Sequence, residues 1–157
     1  MAQITCLVAK TSSSRSLRSH GKASDRPRWR STKWTQQKVL AQALTRLSYG
    51  VEHVALTNAQ LGDNSIKRLA DALVGNKTLK LLDLDNNQIT DSGAGHLATV
   101  LSESTGLRLL DLDFNRIGNE GACALAAALP KNSSLQELHL HFNLIGSAGA
   151  VKFAEAL

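Results

Sequence analysis

Apolar and polar positions along the chain fall into a unit that recurs every 28 residues. Leu79, Leu107 and Leu135 each open one copy. The copies read LKLLDLDNNQITDSGAGHLATVL, LRLLDLDFNRIGNEGACALAAAL and LQELHLHFNLIGSAGAVKFAEAL. Aligning residues 79–106 with 107–134 gives 13 identities in 28 positions. A looser copy, VEHVALTNAQLGDNSIKRLADAL, starts at Val51 and has Ala59 where the others have Asn87, Asn115 and Asn143. It also has Ser65 where they have Gly93, Gly121 and Gly149. Before it, Lys38 to Leu44 (KVLAQAL) matches the second half of the unit only.

Two periods inside each copy predict its elements. Leu82-Asp83-Leu84-Asp85 alternates with period 2, the pattern of a short strand with one buried face. Ala94, Leu97, Ala98 and Leu101 then recur at i, i+3, i+4 and i+7, the stripe of an amphipathic helix. Asn87 sits at the corner between them, where a short amide side chain can hydrogen-bond turn backbone that would otherwise be buried without partners. Gly93 and its equivalents fall just inside the helix start, where a missing Cβ allows close strand–helix approach.

The pattern LxxLxLxxNxIxxxGAxxLAxxL over residues 51–157 resembles the ribonuclease-inhibitor-like leucine-rich repeats. That family includes the repeat arms of NOD-like receptors and the Ran GTPase-activating proteins. The resemblance implies an α/β solenoid, with a curved parallel sheet inside and helices outside. Strands stack about 4.8 Å apart and helices need about 8–10 Å, which accounts for the curvature. The expected organisation is a disordered basic tail over 1–34, an N-terminal helical cap over 35–50, and repeats over 51–78, 79–106, 107–134 and 135–157.

Charge sharpens the division. Residues 1–38 hold nine Lys/Arg against one acid, for a net +8. Residues 39–157 hold nine against twelve, for −3. The overall +5 therefore describes the tail and hides an acidic body. The Ser- and Arg-rich stretch from Lys10 to Trp34 has few apolar residues to offset its ordering entropy. Arg26, Arg28, Trp29, Arg30 and Trp34 interleave cations with aromatics, the composition of a nucleic-acid contact. The same composition fits an organelle transit peptide, or an arm that folds onto the acidic face. Nucleic acid is not expected to bind elsewhere. No apolar run reaches the roughly 18 residues of a membrane span. Two cysteines make no disulfide framework, so the expected setting is reducing and cytoplasmic.

The open face of the sheet is the expected binding site. Its alternate positions include Asp83, Asp85, Asp111, Asp113, Glu137, His139 and His141. Parallel stacking sets Asp83 beside Asp111 and Asp85 beside Asp113, and like charges directly opposite are destabilising. A solvated face multiplied by duplication would look the same. The functional reading is a surface for a basic protein partner, since solenoids use this face for contact. A metal held by Asp113, His139 and His141 lacks a Cys or a third His, so none is expected. Gly93 to Ala98 fits the dinucleotide fingerprint, but Cys123 and Val151 replace Gly95 in the sister copies, and the repeat explains the match. No cofactor is expected. Neither is an enzyme, since no nucleophile has a base placed beside it.

The expected function is a non-enzymatic protein-interaction module. The resemblance adds two alternatives: an activator of a Ran-type GTPase, and a fragment of a NOD-like receptor sensor arm. The last repeat has no polar cap after it. Leu138, Leu140, Leu144, Phe153 and Leu157 are expected along an open edge with an unpaired strand. A longer array, a truncated gene model or a homodimer joined at that edge would each account for it.

Overall fold

The computed structural model describes residues 36–157 in full, and the backbone alone of Lys33–Thr35 and Thr5–Leu7. Strand β1 is Thr5–Leu7, helix α1 is Lys33–Ser48, and four strand–helix units follow. These are β2 (His53–Ala55) with α2 (Asp63–Leu73), β3 (Leu81–Asp83) with α3 (Asp91–Glu103), β4 (Leu109–Asp111) with α4 (Asn119–Ala128), and β5 (Glu137–His139) with α5 (Ser147–Ala156). A 3₁₀ turn, Leu129–Lys131, extends α4. The looser copy from Val51 thus folds as the others do.

All pairings are parallel, in the order β1-β5-β4-β3-β2. Register follows the repeat: Leu82 lies beside Val54 on one side and Leu110 on the other, and Leu110 lies beside Leu138. The architecture is the α/β leucine-rich-repeat solenoid that the periods predict. Its core is a stack of Leu82, Leu84, Leu110, Leu112, Leu138 and Leu140 against Leu97, Leu101 and Leu125 from the helices, all fully buried. A 28-residue unit cannot hide both faces of its leucines by itself, so each copy shelters the next.

Three ladders of side chains tie neighbouring copies together. Asn87, Asn115 and Asn143 form the first. The Asn115 side chain donates to the carbonyls of Leu84, Leu112 and Asp113 and accepts the Ile89 N–H, at 3.0–3.1 Å. Asn87 and Asn143 repeat this pattern one unit earlier and later.

The second ladder caps α3, α4 and α5, each from the preceding repeat. Helices α3, α4 and α5 have N-cap residues Thr90, Gly118 and Gly146, none of which caps with its own side chain. The preceding repeat supplies the acceptor instead. Asp63 Oδ1 accepts the N–H of Thr90 and Gly93, Asp91 Oδ1 those of Gly118 and Gly121, and Asn119 Oδ1 those of Gly146 and Gly149. This refines the role of the glycines. A Cβ on Gly121 would stand 2.7 Å from Asp91 Oδ1 and 2.9 Å from Ala94 Cβ, so the close approach is mainly to the preceding helix.

In the third, the Asn132 amide donates to the carbonyls of Leu101 and Ser104 in the preceding copy, while its Oδ1 accepts the N–H of Ser134 and Leu135, a local turn that Asn76 repeats with Thr78 and Leu79.

Two expectations for the ends are corrected. The edge of β5 is not unpaired: β1 lies along it, with Cys6 beside Leu138. The reason is the apolar patch Ile4 to Ala9, which suits a strand and meets the edge most in need of a partner. A homodimer joined at that sheet edge would have to displace β1. Leu138, Leu140 and Phe153 are buried; of the five expected along the edge, Leu144 and Leu157 are exposed. The tail is likewise not uniform over 1–34, because Thr5–Leu7 is a strand and α1 starts at Lys33. Helix α1 buries Leu40, Ala43 and Leu47, the stripe of the expected cap.

Candidate functional site

The open face of the sheet carries the polar residues, because leucines take the alternate, inward positions. Across the strands, His53, Leu81, Leu109 and Glu137 form one row, and Ala55, Asp83, Asp111 and His139 the next. The ladder then continues past the strands through the N–H of Asn58, Asn86 and Phe114, which donate to the main-chain carbonyls of Asp85, Asp113 and His141 in turn. Asp85, Asp113 and His141 therefore make a third row. The structure brings all seven expected residues onto one surface.

Their partners are mostly each other. Asp111 Oδ2 lies 3.3 Å from His139 Nδ1, and Asp113 Oδ2 lies 3.1 Å from His141 Nδ1. The second ring nitrogen of His139 is 3.5 Å from Glu137. Asp113 Oδ1 accepts the His141 N–H, Asp111 Oδ1 the Asp113 N–H, and Asp83 Oδ1 the Asp85 N–H. Thr57 donates its hydroxyl to Asp83 Oδ2 at 2.8 Å. No lysine or arginine among the described residues pairs with these four aspartates.

Asp85 is the member left over. Its Oδ1 is buried and accepts no hydrogen bond among the described residues. Burial pushes its carboxyl above the usual aspartate range, and the charges of Asp111, Asp83 and Asp113 push the same way, against the Asn86 N–H.

One oxygen each of Asp111 and Asp113 and a nitrogen of His139 lie within 4.8 Å of one another. A divalent cation could use such a trio, but the histidine–aspartate contacts already account for the arrangement. Asp111, and not the expected His141, completes this grouping.

One feature beside this site was not expected. Phe114 and Phe142 stack with ring centroids 4.3 Å apart on the surface, both at positive φ. Their only signal was an aromatic just before the corner asparagine. Of the residues proposed for tail contacts, Arg26, Arg28, Trp29 and Arg30 lie outside the described residues, and Trp34 falls in the first turn of α1.

Asn87, Asn115 and Asn143 stand in a single column at the strand–helix corner, which is the mark of one repeat class. The chain carries leucine-rich repeats. The family described as "Leucine Rich repeat" matches residues 75–98, 103–126 and 131–154. No curated protein matches the sequence. Among solved structures, "Leiomodin-1 Actin-Binding Site 2 (ABS2)" is similar with a TM-score of 0.69 and 26% identity, over 73% of this chain and 70% of that one. The tropomodulin C-terminal domain of Caenorhabditis elegans gives a TM-score of 0.54 at 20% identity, over 75% of this chain and 90% of that one. The second likeness speaks for the fold alone. Leucine-rich repeats form protein-interaction scaffolds, and this chain has that architecture.

Proposed function

We propose that the chain is a non-enzymatic interaction module that takes a basic segment of a protein partner on its open sheet face. The observation that carries the reading is the Asp85 carboxylate. It sits half-buried among three like charges, with one oxygen buried and unsatisfied and no cation among the described residues to offset it. A bound Arg or Lys would supply both the charge and the hydrogen bonds. Glu137, His139 and His141 extend the surface toward β5. The expected setting is cytoplasmic, and Cys123 as a free thiol fits it.

The test is a pull-down with the wild-type chain against D83N/D85N/D111N/D113N. Partners lost only by the variant, and released from the wild type by moderate salt, are ligands of this face. Identical partner sets would overturn the reading.

A second reading names the partner as actin, which the leiomodin-1 site binds, as its name says; the 26% identity over 73% of this chain and 70% of that one favours it. Co-sedimentation with filamentous actin decides it, and a chain that stays in the supernatant removes it. The 28-residue unit also supports membership of the ribonuclease-inhibitor-like group. With it come the GTPase-activator and NOD-like-receptor alternatives, of which the first requires faster GTP hydrolysis by a Ran-type GTPase.

A further inference from the structure

At the end of the strands the backbone turns through a left-handed residue in every repeat. These residues are Asn58, Asn86, Phe114 and Phe142, with φ between +49° and +57°. Asparagine tolerates this region, whereas a bulky residue there is an outlier that costs free energy. Both phenylalanines accept that cost and yet stay about half exposed, at 49% and 54%. Phe114 belongs to an internal repeat, with Phe142 stacked on it at 4.3 Å, so its exposure is not an effect of the last repeat. The repeat's turn and the stack hold the rings in place, yet about half of each ring still faces solvent, an exposed aromatic pair that suits a partner.

The rings form one side of an open groove of about 530 Å³. Its other walls include Asn58, Asn86, Gln88 and Arg116. The Asn86 amide donates to Asn58, and both amides line the groove with donors and acceptors to spare. The Arg116 guanidinium has no ion-pair partner among the described residues.

We propose that this groove docks an extended segment of a partner protein that carries an apolar or aromatic side chain next to a carboxylate. The apolar side chain would sit on the Phe114–Phe142 stack, where aromatic contacts exceed their area burial. The carboxylate would take Arg116, whose planar fork suits it. The amides would bond main-chain groups. Four corners at about 4.8 Å spacing span about 14 Å, which about four residues of extended chain would cover. A nucleic acid fits less well, since Asp113 immediately precedes Phe114 and a phosphate chain would meet the acidic rows beside it. This site adjoins the acidic face but uses other residues and asks for the opposite charge, so either reading stands without the other.

The test selects random linear peptides on the full chain, with F114N/F142N for counter-selection. Enriched peptides should place Phe, Tyr, Trp or Leu beside Asp or Glu. A synthetic copy of the leading peptide should bind F114N/F142N at least about tenfold more weakly. The variant should melt no lower than the wild type, because asparagine already serves this corner in two repeats. The proposal is overturned if no such peptide is enriched, or if the variant binds it equally. It also fails if F114N/F142N melts lower, which would make the stack part of the fold. Basic peptides released only by D83N/D85N/D111N/D113N would belong to the acidic face, and an oligonucleotide competing for the stack would replace the peptide.

Discussion

Burial acts first on Asp85, and the three neighbouring carboxylates add to it. Its folded carboxyl titrates above the ordinary value of 3.8. Between that value and the raised one, the folded state binds more protons than the unfolded state. Stability contributed by this group is therefore greatest at low pH, falls as pH rises through that window, and is lowest above it. Asp85→Asn should raise the melting temperature at pH 7, and the gain should vanish at about pH 3, where both forms are neutral. Melts at the two pH values check this; a variant that melts lower at neutral pH would contradict it. The site residues were legible because strand alternation fixes which side chains share a face. The asparagine column was legible for a similar reason: a polar residue at a fixed, otherwise apolar spacing needs a structural cause. Phe114 and Phe142 were not legible as surface residues. A phenylalanine beside leucines reads as core, and nothing in the sequence marks a positive φ at a position filled by Asn in other copies.

Strands and helices were readable from period 2 and period 3.6, but the contacts that start each helix were not. Asp63, Asp91 and Asn119 look like ordinary first-turn residues, and their partners lie 27–30 positions away. The glycines at the start of α3, α4 and α5 follow from these contacts. Gly121→Ala should destabilise the fold by about 1–3 kcal/mol, because the new methyl meets Asp91 and Ala94 inside contact distance. Gly95→Ala, in the same helical turn of α3 but with open space around it, should stabilise by about 0.5–1 kcal/mol. Urea unfolding of the two variants decides whether proximity, and not helix propensity, governs the position. Equal effects would reject the argument.

Across the whole molecule, the sheet is closed by its own first strand. A three-residue strand paired with a segment more than a hundred positions away leaves no periodic trace, which is why sequence reasoning left that edge open. Removing residues 1–9 should uncover β5. Amides of Glu137–His139 should then exchange faster, and sedimentation should show association that grows with concentration. Unchanged protection and a monomer at every concentration would mean that β1 does not guard the edge. The capping contacts from one repeat to the next have a further bearing on how such a protein could be enlarged. Every acceptor belongs to one copy and every donor to its successor, so the array has a polarity, like tiles with a tongue on one side and a slot on the other. Copying the stretch 91–118 in tandem would deliver a fresh Asp91 to the next pair of glycine N–H groups and preserve the asparagine column. An inserted module one residue shorter or longer would put both out of phase at once.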